Sequence, residues 1–134
     1  MRHSLKYFSL FCITLFTLSS CERKRECEDA ICTMNFASHS LRIEDGSGQV
    51  PVLDKVDVHV GSDYVFSATQ NAQDPFYYII ADDTWITSVG KNVERYTEVW
   101  IYRQGNIVSK VPFQFKTDCC HVEYVSGTDK VIIP

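Results

Sequence analysis

The 134-residue sequence lacks the short motifs that mark several large enzyme classes. It contains no H-E-x-x-H, no G-x-S-x-G and no G-x-G-x-x-G, the signatures of zinc peptidases, α/β-hydrolases and dinucleotide-binding enzymes. It has no C-x-x-C, so a thioredoxin-type redox motif is absent as well. Basic residues are not in excess either: 13 Lys and Arg stand against 17 Asp and Glu, for a formal net charge of −4. We therefore predict no catalytic residues, no metal ligands, no cofactor and no nucleic-acid partner.

Long hydrophobic runs are also missing. The longest apolar stretch, Tyr7 to Leu18, has twelve residues and contains no charge. As a helix it would span about 18 Å, which is too short for a bilayer core of about 30 Å. It follows the basic residues Arg2 and Lys6 and precedes two small serines. A positive start, a short apolar stretch and small residues indicate an export signal, which we predict for residues 1–20.

The end of this signal, Leu18-Ser19-Ser20-Cys21, resembles the lipobox of bacterial lipoproteins. In that family the cysteine thiol receives diacylglycerol, the signal is cut just before it, and the new N-terminus is usually acylated, commonly with palmitate. The resemblance implies that Cys21 is lipidated and that membrane lipid is a partner. It also implies a location in the cell envelope, on its periplasmic or extracellular face. Residues 21–29 are rich in charges of both signs, which is typical of a solvated tether between lipid and domain.

The rest of the chain, residues 30–134, has the pattern of a β-protein. Apolar residues alternate with polar ones over short stretches, and Gly-, Asp- and Asn-containing turns separate these stretches at short intervals. This pattern predicts a single all-β domain, an antiparallel β-sandwich of about seven strands with an immunoglobulin-like or transthyretin-like arrangement. The residues expected to be buried are Met34, Phe36, Leu41, Ile43, Val56, Val58, Tyr64, Phe66, Ile80, Val99, Ile101, Val111, Phe113 and Val122.

One stretch carries a competing signal. Val89, Val93, Tyr96 and Trp100 lie at helical spacing, but Gly90 and the β-branched neighbours disfavour a long helix. We therefore expect at most one helical turn, near Val93.

Residues 41–52 carry a second resemblance. Asp45, Gly48, Pro51 and Val52 match the D-x-x-G-x-P-V opening hairpin of carboxypeptidase-regulatory-like, transthyretin-like domains, with one extra residue before the proline. That resemblance implies a seven-stranded β-sandwich of the kind found as a non-catalytic part of exported proteins. The mature chain as a whole also resembles small exported lipoproteins of Bacteroidota type, through its Cys-rich start and the Cys-Cys-His-Val near its end.

Four cysteines remain once Cys12, in the signal, and Cys21 are set aside: Cys27, Cys32, Cys119 and Cys120. In a small exported domain they indicate two disulfides between the chain's beginning and its end. The alternatives are free or redox-active thiols, or a metal site in which His121 joins the cysteines. Contiguous residues of a strand point to opposite faces, which disfavours the metal. In alternating strands Cys32 would share a face with Met34 and Phe36, and Cys120 with Val122. This strand parity favours Cys32–Cys120 and leaves Cys27–Cys119, although a bulge in either strand would reverse that assignment.

These features favour a non-enzymatic binding or structural module of the envelope, with a protein or glycan as partner. Aromatic residues expected near the surface could line the contact: Tyr77, Trp85, Trp100 and Tyr102. The alternative is an envelope hydrolase or metal-dependent enzyme built from the loop residues Asp74, Asp82, Asp83 and His121. The three aspartates could also hold Ca²⁺, because carboxylate oxygens are its preferred ligands.

Overall fold

The structure, a computed structural model, describes residues 27–134. The predicted signal, Cys21 and residues 21–26 of the predicted tether lie outside the described residues. The described chain contains nine strands and one short helix: β1 (Ser38–Asp45), β2 (Lys55–Val60), β3 (Tyr64–Ser67), β4 (Thr69–Gln70), β5 (Tyr77–Asp82), α1 (Trp85–Val89), β6 (Val93–Arg103), β7 (Asn106–Thr117), β8 (Val122–Ser126) and β9 (Lys130–Ile133). The prediction of an all-β domain is confirmed.

The strands form two sheets, as expected for a sandwich. One has four strands in the order β4-β5-β1-β9, and the other has five in the order β3-β2-β6-β7-β8. Every neighbouring pair is antiparallel except β1 and β9, which run parallel. Since β1 and β2 belong to different sheets, the Asp45–Gly48 turn does not close a hairpin. The chain crosses from one sheet to the other through residues 46–54.

The longest pairing is the hairpin of β6 and β7, which forms the centre of the five-stranded sheet. Its two-residue turn is Gln104-Gly105, and both residues have positive φ, 52° and 74°. Positive φ at both positions is the mark of a type I′ turn, whose twist matches that of the strands it joins. This hairpin carries the row of aromatic residues described below.

The core lies between the inner faces of the two sheets. Ten of the fourteen residues expected to be buried are buried: Leu41, Ile43, Val56, Val58, Ile80, Val99, Ile101, Val111, Phe113 and Val122. Tyr64 and Phe66 are half-buried against this core. Met34 and Phe36 were predicted wrongly, because they lie in a segment without strand structure and are 103% and 64% exposed.

As expected, the described chain has no long helix near Val93, and it has no helical turn at Val93 either. Val93 begins β6, and the helix lies earlier, at Trp85–Val89. Gly90 ends it with φ of 104°, a conformation that favours glycine, and its N–H donates to the Ile86 carbonyl. The helix buries Trp85 and Val89, so Trp85 is a core residue and not part of a surface.

Candidate functional site

Two disulfides join the beginning of the described chain to the β7–β8 connection. Cys27 is bonded to Cys119 and Cys32 to Cys120, each pair with a Cα–Cα distance of 5.3 Å. The pairing is the one that strand parity favoured, but all four cysteines lie outside strands, so parity is not its cause. We call this pair of bonds the disulfide clamp. It attaches residue 27 to the domain, within the segment 21–29 that was predicted to be a tether.

A hydrogen-bonded network around Asp83 lies beside the clamp. Asp83 Oδ2 accepts from the Ala37 N–H at 2.7 Å and contacts His121 Nδ1 at 2.9 Å, while Oδ1 accepts from the Val122 N–H at 2.9 Å. Burial by itself would raise the pKa of Asp83, but these hydrogen bonds outweigh it and the pKa is lowered. One carboxylate thereby holds together three parts of the chain that are distant in sequence.

His121 continues this network outward. Its Nε2 lies 2.9 Å from Thr33 Oγ1. The hydrogen bond with Asp83 raises the pKa of His121, against the opposing effect of burial, and the charge of Asp118 adds to the rise. When Nδ1–H donates to Asp83, Nε2 of the neutral ring accepts a hydrogen bond from the Thr33 hydroxyl. This connectivity of hydroxyl, imidazole and carboxylate is that of a nucleophile, its base and the group that orients the base.

The other acidic candidates have local roles. Asp82 Oδ1 accepts from the Thr84 N–H at 2.9 Å, at the start of α1, and Asp74 Oδ1 accepts from the Phe76 N–H at 3.2 Å. Among residues 27–134 no group of three or more His, Cys, Asp or Glu side chains is arranged to hold a metal ion. Asp83 and His121 are therefore the two residues of the enzyme alternative that the fold brings together.

A cavity of about 310 Å³ opens beside Asp82. It lies between β3 and β5, and Phe66, Ala68 and Trp85 line it together with Asp82. Phe66 and Trp85 stack with ring centroids 5.3 Å apart. The volume is at the lower end of the range for small-molecule sites.

The outer surface of the five-stranded sheet carries a row of three aromatic residues. Tyr96, Trp100 and Tyr102 follow one another along β6, with the inward-facing Val99 and Ile101 between them in the core. We call the surface formed by Tyr96, Trp100 and Tyr102 the aromatic face. Trp100 and Tyr102 were expected at the surface and are half-buried there. Tyr96, which is 59% exposed, was missed although its spacing from Trp100 is even.

The ring of Trp100 is covered on both sides. The His59 imidazole stacks on it with centroids 3.8 Å apart, and Lys110 Nζ lies 3.8 Å from its centroid. The indole Nε1–H donates to Glu98 at 3.1 Å, and the Tyr96 hydroxyl donates to the same carboxylate at 3.3 Å. These contacts fix the orientation of Trp100 before any partner binds.

The neighbouring Tyr102 is held in a similar way. Lys55 Nζ lies 4.4 Å from its ring centroid and donates to Asp57 Oδ2 at 2.6 Å. That hydrogen bond raises the pKa of Lys55, which favours its charged form. Below Trp100, His59 Nε2 is buried without a hydrogen-bond partner in the described chain. The aromatic face therefore combines fixed rings, two cations and one unsatisfied imidazole nitrogen.

Tyr77, the remaining aromatic candidate, lies on the other sheet. The guanidinium of Arg42 is 5.7 Å from its ring centroid and 4.2 Å from that of Phe76. Tyr77 is half-buried and separate from the aromatic face.

Between residues 27 and 134, no helix is long and apolar enough to cross a membrane. Comparison of the chain with protein-family models, with curated proteins and with solved structures finds no match.

Proposed function

We propose that the protein is a lipoprotein of the cell envelope, anchored through acylated Cys21, whose β-sandwich domain binds another protein through the aromatic face. The lipobox resemblance of residues 18–21 supports the anchor. The disulfide clamp supports an exported protein, because disulfides persist in oxidising compartments. On this proposal the domain has a binding role and no catalytic role.

The observation that carries the binding role is the fixed orientation of Trp100. Association loses side-chain freedom, at about 0.5–1.5 kcal/mol for each side chain that becomes ordered. His59, Lys110 and Glu98 already hold the indole, so most of this loss is incurred on folding and not on binding. Trp and Tyr are also the residues that most often dominate binding energy in protein interfaces.

The same geometry favours a protein over a glycan as the partner. A sugar ring binds an aromatic residue by lying on the open face of its ring, and both faces of Trp100 are occupied by His59 and Lys110. What the surface presents instead is the exposed Tyr96 and charges of both signs. A protein surface with complementary charges and apolar side chains fits this combination.

The binding role is tested by crosslinking in intact cells that carry the lipidated protein, followed by capture. Trp100→Ala and Tyr96→Ser should each reduce recovery of the crosslinked partner by about tenfold or more, the effect of losing a central aromatic contact. Ile132→Ser is the matched control, because Ile132 is 60% exposed on the four-stranded sheet. Equal recovery with all three variants, or recovery of glycan alone, would contradict the proposal.

The anchor is tested separately. Cys21→Ser should abolish acyl labelling and release the domain from the membrane fraction. Cys12→Ser is the control, because Cys12 lies inside the predicted signal and precedes the cut. A Cys21→Ser protein that is still labelled and bound would show that the lipobox match is a coincidence.

A hydrolase is the second candidate, and the Thr33–His121–Asp83 connectivity is the observation that favours it. Thr33 Oγ1 would attack an ester carbonyl while His121 Nε2 takes its proton. The departing alcohol would receive that proton, and water would then release the acyl group. If the purified protein cleaves a panel of esters and both Thr33→Val and His121→Gln abolish cleavage, the enzyme replaces the binding module as the primary function.

A further inference from the structure

The segment held by the disulfide clamp exposes a group of apolar side chains. Residues 27–36 form neither helix nor strand. Within them Ile31 is 97% exposed, Met34 103% and Phe36 64%. We call residues 31–36 the apolar segment. The apolar segment lies within an uncharged stretch, because no residue from 30 to 38 is charged.

This segment is prevented from burying itself in the domain. Cys32 is bonded to Cys120, Thr33 contacts His121, and the Ala37 N–H donates to Asp83. These three attachments hold the backbone against the domain while Ile31 and Met34 point into solvent. Apolar side chains on a fixed backbone lose the hydrophobic free energy of burial unless another surface covers them.

The position of the segment identifies that surface. Cys27 follows Cys21 by six residues, and six residues span at most about 20 Å when fully extended. A domain anchored at Cys21 therefore has its disulfide clamp held close to the bilayer. The start of β1 and the end of β7 lie at this same end of the sandwich, since Ala37 contacts Asp83 and Thr117 precedes the clamp.

We propose that Ile31, Met34 and Phe36 insert into the boundary between head groups and acyl chains of the bilayer that holds the lipidated Cys21. This inference rests on the lipid anchor of the proposed function. Phospholipid is the occupant because the segment is apolar and uncharged and is covalently confined near the lipid. Insertion of the clamp end places the strands at a steep angle to the membrane, which leaves the aromatic face open to a partner.

The test measures the depth of a fluorescent side chain at the segment. Met34→Trp is introduced into the full-length lipidated protein, which is then reconstituted in vesicles of phosphatidylcholine and phosphatidylglycerol with brominated acyl chains. Val52→Trp is the matched control: Val52 is 85% exposed and lies before β2, at the end of the sandwich opposite the clamp. The signal of Trp85 and Trp100 is subtracted by using the unsubstituted protein.

We expect brominated lipid to quench the tryptophan of the Met34→Trp variant at least about twofold, since apolar side chains at an interface reach 5–10 Å into it. The Val52→Trp variant should not be quenched. No quenching in the Met34→Trp variant would overturn the inference, as would equal quenching in both variants. Acyl labelling of the same samples reports on the anchor independently.

A Cys21→Ser background separates the two proposals further. Vesicles are added to the released protein, and its partition is measured with and without Met34→Ser. If the segment inserts, Met34→Ser weakens partition by about tenfold, while Val52→Ser leaves it unchanged. Equal partition of the two serine variants would refute insertion even where the anchor itself is confirmed.

Discussion

Removing one disulfide of the clamp should cost less stability than half the cost of removing both. The bonds Cys27–Cys119 and Cys32–Cys120 interleave along the chain, with sequence separations of 92 and 88 residues. In the chain-entropy model, closing a loop of about 90 residues lowers the entropy of the unfolded chain enough to contribute about 4.5 kcal/mol. That contribution can be made only once, because either bond alone brings the two ends of the domain together.

The second bond closes a much smaller ring. With Cys32–Cys120 in place, forming Cys27–Cys119 closes a ring of about eight residues, which are residues 27–32 together with the two vicinal cysteines. In the same model such a ring contributes about 2.5 kcal/mol. Each single removal should therefore cost about 2.5 kcal/mol, and removal of both about 7 kcal/mol.

The assay is equilibrium unfolding in urea, followed by the fluorescence of the buried Trp85. Three proteins are compared with the parent: Cys27→Ser with Cys119→Ser, Cys32→Ser with Cys120→Ser, and all four substitutions together. Pairs are changed together so that no free thiol remains. A cost of about 4.5 kcal/mol for either single removal, or strictly additive costs, would refute the argument that the two bonds share one long loop.

Further predictions concern pH and packing. Because the pKa of His121 is raised on folding, His121 contributes to the free energy of unfolding fully below about pH 6.5, and this contribution is lost as pH rises through its folded-state pKa. Because the pKa of Asp83 is lowered, Asp83 contributes to the free energy of unfolding above about pH 4, and this contribution is lost as pH falls through its folded-state pKa. The urea midpoint should therefore peak between these limits, and His121→Gln should remove the decline on the alkaline side; an unchanged profile would contradict the network. Gly127→Ala should destabilise the fold by about 1–3 kcal/mol, because the added Cβ would lie 2.3 Å from Phe113. Gly46→Ala has open space and serves as its control, so equal urea midpoints for the two variants would contradict the packing argument.

The strands and most of the core were predictable from the sequence because they depend on local alternation. Val56, Val58 and Val60 repeat every second residue, and the same period places Val111, Phe113 and Phe115 inside the sandwich. The position of the turn between β6 and β7 was predictable for a similar local reason, because Gln104-Gly105-Asn106 is a glycine- and asparagine-containing turn sequence. Such signals require only neighbouring residues.

The prediction failed where a distant contact outweighs the local pattern. Met34 and Phe36 alternate as strand residues do, but the clamp fixes their backbone at the surface. Val93 has helical spacing with Trp100, yet the β7 partner of this stretch draws it into the sheet. The disulfide pairing agreed with the parity argument although all four cysteines lie outside strands.

The sequence alone determined the class of fold, because the alternation of buried and exposed residues is a property of neighbouring residues. It also determined the number of cysteines available for disulfides, because that number is a matter of composition. Only the tertiary structure decided which side chains meet. Asp83, Thr33 and His121 are separated by up to 88 residues and converge through the clamp, while His59 and Lys110 reach Trp100 from two other strands. Such contacts depend on sheet order and strand register, which no local pattern encodes.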